Sequence, residues 1–208
     1  MKNNIIKNLI VLSIITICGT KAYADAEGSM LLMVENPPTA SITIDNARST
    51  TTTAITSADT GMIGTFETVF NLETNGTDSD FDFVITSSIT YNGGSESAYD
   101  SLGNILFTNT NAYALPDYAA VSQAKSRSGN NHNVVSYPVT ITPDSPFTSS
   151  YEPNYGTYGN SYVIRVNGGT SGSITHTVEP APVSGTYSKT GDASGTYQAT
   201  ITMSAVAL

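Results

Sequence analysis

The segment FDFVITSSITY, residues 81–91, constrains the fold more than any other stretch of this chain. Phe81, Phe83, Ile85, Ile89 and Tyr91 share one parity, and only Ser87 interrupts it. Successive side chains of a strand point to opposite faces, so this spacing places five large apolar groups on one side of a sheet. A helix would scatter the same residues around its circumference. The pattern recurs along the chain. Ala40, Ile42 and Ile44 share a parity in ASITI, as do Phe66, Thr68, Phe70 and Leu72 in FETVFNL. Val135, Tyr137, Val139 and Ile141 repeat it in VVSYPVTIT, where Pro138 has no ladder donor and predicts an edge or a bulge. SYVIRV (161–166) and SITHTV (173–178) follow. The last such segment is GTYQATITMSA, with Tyr197, Ala199, Ile201, Met203 and Ala205 on one face.

Turn residues separate these runs: Thr74-Asn75-Gly76, Asn92-Gly93-Gly94, Ser128-Gly129-Asn130-Asn131, Asn167-Gly168-Gly169 and Gly191-Asp192. Gly-Thr-Tyr triplets at 156–158, 185–187 and 195–197 suggest a recurring turn that leads into a strand. Thr and Tyr, which suit strands, are abundant, while the helix formers Lys, Arg, Glu and Gln are rare. The chain is therefore expected to be all-β, with about seven strands arranged as a β-sandwich. Residues 95–133 fit that scheme less well and read as a looped insertion. Within it, PDYAAVSQAK (116–125) is the one candidate short helix.

The first 24 residues read as a secretory signal peptide. Lys2 and Lys7 form a basic start, Leu9 to Ile17 an apolar middle too short to span a bilayer, and Ala22-Tyr23-Ala24 a small-residue cleavage site. Cleavage would remove Cys18, the single cysteine, so no disulfide is expected in the oxidising space beyond. It would also remove Lys2, Lys7 and Lys21, leaving 5 basic residues against 17 acidic ones and a net charge of −12. That balance excludes a sequence-independent nucleic-acid binder and disfavours docking on anionic lipid. The remaining 184 residues suit one domain with a core of its own.

No catalytic, cofactor-binding or metal-binding constellation stands out. His176 alternates with Ile174 and Val178, so a packed or hydrogen-bonded imidazole is expected there rather than a general base. His132 lies in the polar loop SGNNHN. Asp78, Asp80 and Asp82 alternate as in a calcium loop, but Phe83 and Ile89 stand where that loop needs Gly and Glu. The segment SSYEPNYGTYGNSY carries Tyr151, Tyr155, Tyr158 and Tyr162, with Pro153, Gly156 and Gly159 excluding a helix. Tyr151, Tyr155 and Tyr158 are candidate receptor contacts, because Tyr joins apolar area to a polar tip. Packing of the same rings over the end of the sandwich is the competing reading.

Near the start of the mature chain stands SMLLMVENPP (29–38). Five consecutive apolar residues, Met30 to Val34, end at a polar pair and then at Pro37-Pro38. The segment reads as a strand apolar on both faces, held apart from the first domain strand by a rigid break. Left bare, it would be an aggregation hazard. It can fold back as a first strand of its own sandwich, or insert into a neighbour's sheet.

This layout, MLLMVENPPTASITI at one end and Gly195 at the fourteenth residue from the other, resembles the subunits of chaperone–usher pili and related surface fibres. The chain departs from that family's pattern in three places, the first being Val34-Glu35-Asn36-Pro37, one residue longer than the usual boundary. Ala207 stands where a penultimate Tyr is usual, and the two-cysteine bridge of many members is missing. The resemblance implies an immunoglobulin-like sandwich that lacks its last strand and is completed by a donor strand from a neighbouring subunit. In it, residues 25–36 are the donor extension and 37–208 the domain. Met30, Leu32 and Val34 would enter the neighbour's groove. A periplasmic chaperone would pair with the last strand through Gly195, Tyr197, Ile201 and Met203, before an outer-membrane usher releases the subunit. The expected product is a head-to-tail polymer of this chain or related subunits, exported through the periplasm to the cell surface, where it binds a host-cell receptor. The alternative is a free-standing secreted β-sandwich that binds carbohydrate or matrix.

Overall fold

The structure, a computed structural model, describes residues 36–77, 79–91, 94–109, 134–166, 169–190, 192 and 194–208. From the second residue of this range onward they belong to one compact unit, Pro37–Leu208. Among the described residues the chain is all-β, and every strand pairing is antiparallel. One sheet runs β1 (Ala40–Ile44), β4 (Phe66–Thr74), β12 (Thr170–Val178), β9 (Val139–Pro143). A second runs β10 (Thr148–Glu152), β11 (Ser161–Arg165), β5 (Phe81–Tyr91), β14 (Thr200–Ala207), with β6 (Gly94–Ser97) on the far part of β5. Two small sheets complete the set: β13 (Tyr197–Gln198), β7 (Ile105–Asn109), β8 (Val134–Tyr137), and the hairpin of β2 (Ile55–Ser57) with β3 (Met62–Ile63).

The alternation read from the sequence becomes the core. Phe70, Leu72, Ile174 and Val178 of the first sheet and Phe83, Ile85, Tyr162, Ile164 and Met203 of the second belong to one buried cluster. Two sheets sharing their inner faces in this way are consistent with a β-sandwich. β5 carries the clearest pattern and sits inside its sheet, between β11 and β14. A strand with two partners gains most from a strict inward parity, because a one-residue slip would turn Phe83, Ile85 and Ile89 outward.

Two expected strands divide. VVSYPVTIT breaks at Pro138 into β8 of a small sheet and β9, an edge of the first large sheet. Pro138 has no N–H to give, but its carbonyl accepts from Glu179 N at 2.9 Å. The last segment breaks at Ala199, so β13 pairs with β7 while β14 pairs with β5. Residues 95–133 are not loops throughout, since β7 and the end of β6 fall inside them. β10 occupies the start of the tyrosine-rich segment, where the sequence showed no alternation. The glycines of the three Gly-Thr-Tyr triplets all have positive φ: 50° at Gly156, 77° at Gly185 and 147° at Gly195. Only the third leads into a strand; the first opens a 3-10 turn, Gly156–Tyr158. The candidate helix at 116–125, His132, Asp78, the signal segment and the donor residues Met30, Leu32 and Val34 lie outside the described residues.

Candidate functional site

Each large sheet ends on one side in a strand without prolines or charges. β14 reads TITMSAVA and β1 reads ASITI. Among the described residues no strand pairs with the outer edge of either. The two lie near each other, with Cα atoms approaching within 8 Å. The opposite edges differ. β9 is bounded by Pro138 and ends in Pro143, while β10 is followed by Pro153 and carries Glu152. Prolines and charges are the usual devices that stop a sheet edge from recruiting another chain, and neither occurs within β1 or β14, with Pro37-Pro38 and Asp45 only flanking β1.

The hydrogen-bond phase of both strands sharpens the point. Leu208 N donates to Asp80 O at 3.1 Å, directly after the Ala207–Phe81 register pair. Antiparallel ladders alternate, so residues 200, 202, 204 and 206 also spend their main-chain groups on β5. The N–H and C=O groups of Ile201, Met203, Ala205 and Ala207 therefore point to the open edge. In β1, Asp45 N donates to Val69 O at 2.9 Å and Asn75 N to Thr39 O at 3.3 Å. By the same alternation Ala40, Ile42 and Ile44 present their main-chain groups outward. Four of those residues also turn their side chains to the core, Met203 buried and Ala40, Ile42 and Ile201 partly buried against it, while Ala205 and Ala207 are exposed. At the ends of the seam, Ile44 stays 50% exposed and Leu208 65%.

The root of β1 is tied down. The Asn75 carboxamide accepts from Thr39 Oγ1 at 3.1 Å and donates through Nδ2 to Pro37 O at 3.2 Å. Thr74 Oγ1 donates to Thr39 O at 2.7 Å. The backbone just after the Pro37-Pro38 break is thus held by the far end of β4.

The residues expected at the last strand fall into two groups. Ile201 and Met203 line the β14 edge, whereas Tyr197 pairs with Asn109 in the small sheet. Gly195, at φ 147°, supplies the turn before them in a region that L side chains rarely adopt. The part played by β1 escaped the sequence reading. Its signal was the short uncharged run ASITI directly after two prolines.

The tyrosines separate. Tyr151 packs partly buried against the core, and its hydroxyl donates to Asp100 O. The Tyr155 hydroxyl donates to Asp82 Oδ2 on the outer face of β5, which folds the β10–β11 connection back over that face. This bond, with burial and the negative charge of Asp82 added, pushes the Tyr155 hydroxyl up to about 12. Tyr158 leans on Tyr155 at a centroid distance of 6.3 Å and is 37% exposed. Asp82 is also paired with Arg165, Nε to Oδ1 at 3.6 Å, and Arg165 in turn bonds Glu152 at 3.1 Å. Asp80 accepts from Thr77 N at 2.7 Å and caps its own turn. Asp80 and Asp82 thus serve two local structures, and among the described residues no group of three His, Cys, Asp or Glu is placed to hold a metal. His176 is fully buried, with Nε2 2.8 Å from the Tyr99 hydroxyl. No family model matches the chain, and neither a curated protein nor a solved structure does.

Proposed function

We propose that this chain is a structural subunit of a bacterial surface fibre, in which a strand from a neighbouring copy completes the sheet edges at β1 and β14. One observation carries the reading: both edges are uncharged and proline-free, and their inward residues are the ones whose main-chain groups face the gap. A strand laid there can pair with two partners and bury its inward side chains in a single step. In this reading the domain is an incomplete immunoglobulin-like sandwich, and Met30, Leu32 and Val34 of the neighbour supply the inward side chains. Two strand spacings come to about 9.6 Å. Where the Cα atoms of β1 and β14 approach within 8 Å, insertion must therefore part the edges. A periplasmic chaperone occupies the β14 edge before assembly, and an usher passes the subunit to the cell surface, where the fibre serves adhesion. A head-to-tail contact of this kind does not close, so it produces fibres rather than dimers.

The test compares the mature chain, starting at residue 25, with a chain that starts at Pro37. The mature chain is expected to give ladders that resist mild detergent on a gel, and the shortened one only monomer. A mature chain that stays a stable monomer at high concentration would identify a free-standing module and overturn the proposal.

A further inference from the structure

The centre of the sandwich contains an imidazole with one hydrogen-bonded side-chain partner, the Tyr99 hydroxyl, and no partner for its other ring nitrogen. His176 lies on the core face of β12, between cross-strand neighbours Thr68 of β4 and Ile141 of β9. Its exposure is 0%. The Tyr99 hydroxyl meets Nε2 at 2.8 Å, and Nδ1 has no hydrogen-bond partner. Tyr99 stacks edge-on against Tyr162 at 5.3 Å, and Tyr162 against Tyr151 at 5.2 Å. The hydroxyls of the latter two hold the turn after Tyr99, Tyr162 on Gly103 O at 2.8 Å and Tyr151 on Asp100 O. The side chain of Tyr99 is thus the plug by which the 98–105 segment enters the core, and His176 is what receives it.

We propose that the His176–Tyr99 pair is a proton-sensitive lock, which holds the 98–105 segment in the core at neutral pH and loosens it on mild acidification. An imidazolium at this position would need a second acceptor and a counter-charge. The neighbours on β4 and β9 are Thr68 and Ile141, and neither provides a charge. The titratable groups facing it from the 98–105 segment and the second sheet are Tyr99 and, behind it, Tyr162 and Tyr151. All three are pushed further from ionisation, first by burial. The Asp100 carboxylate is turned to Leu102 N at 2.8 Å and Asn104 N at 3.0 Å. Burial accordingly holds the His176 imidazole down at about 4.

The sign follows from linkage. The unfolded chain binds a proton near the ordinary pKa of about 6.5, and the folded chain refuses it until far lower. Stability is therefore full above roughly pH 6.5 and falls as pH drops towards the folded value. Within that window the folding equilibrium constant should drop about tenfold per pH unit. The upper part of this window, above roughly pH 5.5, lies above the range in which ordinary carboxylates titrate, so the two effects separate there.

The experiment has two arms, both independent of fibre assembly because they use the chain beginning at Pro37. With only two histidines in the protein, His132 and His176, the imidazole resonances can be followed one by one. His176 should remain neutral in the folded state at pH 5.5, while the protection factors of the 98–105 amides, corrected for the intrinsic pH dependence of exchange, fall between pH 7.5 and 5. A His176 resonance that titrates near 6.5 in the folded protein would overturn the lock. Denaturation midpoints of the native chain should fall over the same range, and those of His176→Gln, which keeps an acceptor for Tyr99 and cannot charge, should stay flat. An equal slope in that variant would also overturn it. Should the variant not fold, the imidazole titration of the native chain decides alone.

Discussion

Asp82 is an acid on the outer face of β5, and its burial changes what its neighbours are for. At 3% exposure it retains two partners, the Arg165 guanidinium and the Tyr155 hydroxyl. A buried carboxylate that loses a donor pays the desolvation cost without its compensation. Tyr155→Phe should therefore lower stability by about 1–3 kcal/mol in a urea titration. Tyr158→Phe, at a more exposed ring, should stay within about 0.5 kcal/mol. If Tyr155 served recognition alone, the two variants would be equally stable. The same comparison bears on the candidate receptor loop. Tyr151 and Tyr155 are committed to internal bonds, which leaves Tyr158 as the ring with most free surface. Gly61 is a second residue fixed by its surroundings. At φ 70°, a Cβ there would lie 2.4 Å from the Tyr187 ring. Gly61→Ala should unseat the β2–β3 hairpin, visible as faster amide exchange in Ile55–Ser57.

Among the elements, β1 and β14 are the ones whose chemistry outruns their structural duty. An eight-residue strand with no charge, proline or glycine is an unusual edge to leave open, and a five-residue partner of the same character lies beside it. Ile44 stands half exposed at the end of β1, so a charge there should cost the fold little. Ile44→Lys is expected to change unfolding free energy by no more than about 0.5 kcal/mol. It should nevertheless suppress strand capture, because an inward-pointing lysine at an edge opposes pairing. Gel ladders and a urea titration, run on the same preparation, measure both quantities. Suppressed ladders with unchanged stability would place the pairing at β1, and unaffected ladders would remove β1 from the joint. The elements also explain where a sequence reading of strands succeeds. β4, β5 and β12 were legible as long alternating runs, and each has strand partners on both sides. β2, β3, β6 and β10 are short or polar, so their pairing depends on what lies across from them.

For the molecule as a whole, most pairings join distant parts of the chain. β4 meets β12 across roughly a hundred residues, and β5 meets β14 across still more. A fold built on such contacts forms slowly, so its open edge is exposed during folding as well as after it. The 17 acidic residues against few basic ones add a mutual repulsion between copies of the chain.

The all-β class and the faces of the main strands were legible in the sequence alone. Those properties depend on residues two to four apart, and periodicity records them directly. It also marked both ends of the chain as chemically unusual, through SMLLMVENPP and the uncharged last strand. The tertiary structure is what brings β1 and β14 near each other, with outer edges that no other strand among the described residues pairs. It alone divided the last strand at Ala199, and it brought Tyr99 to His176 and Tyr155 to Asp82. These outcomes depend on which strands become neighbours. That choice is made by the packing of residues some seventy or more positions apart, where no local pattern carries the information.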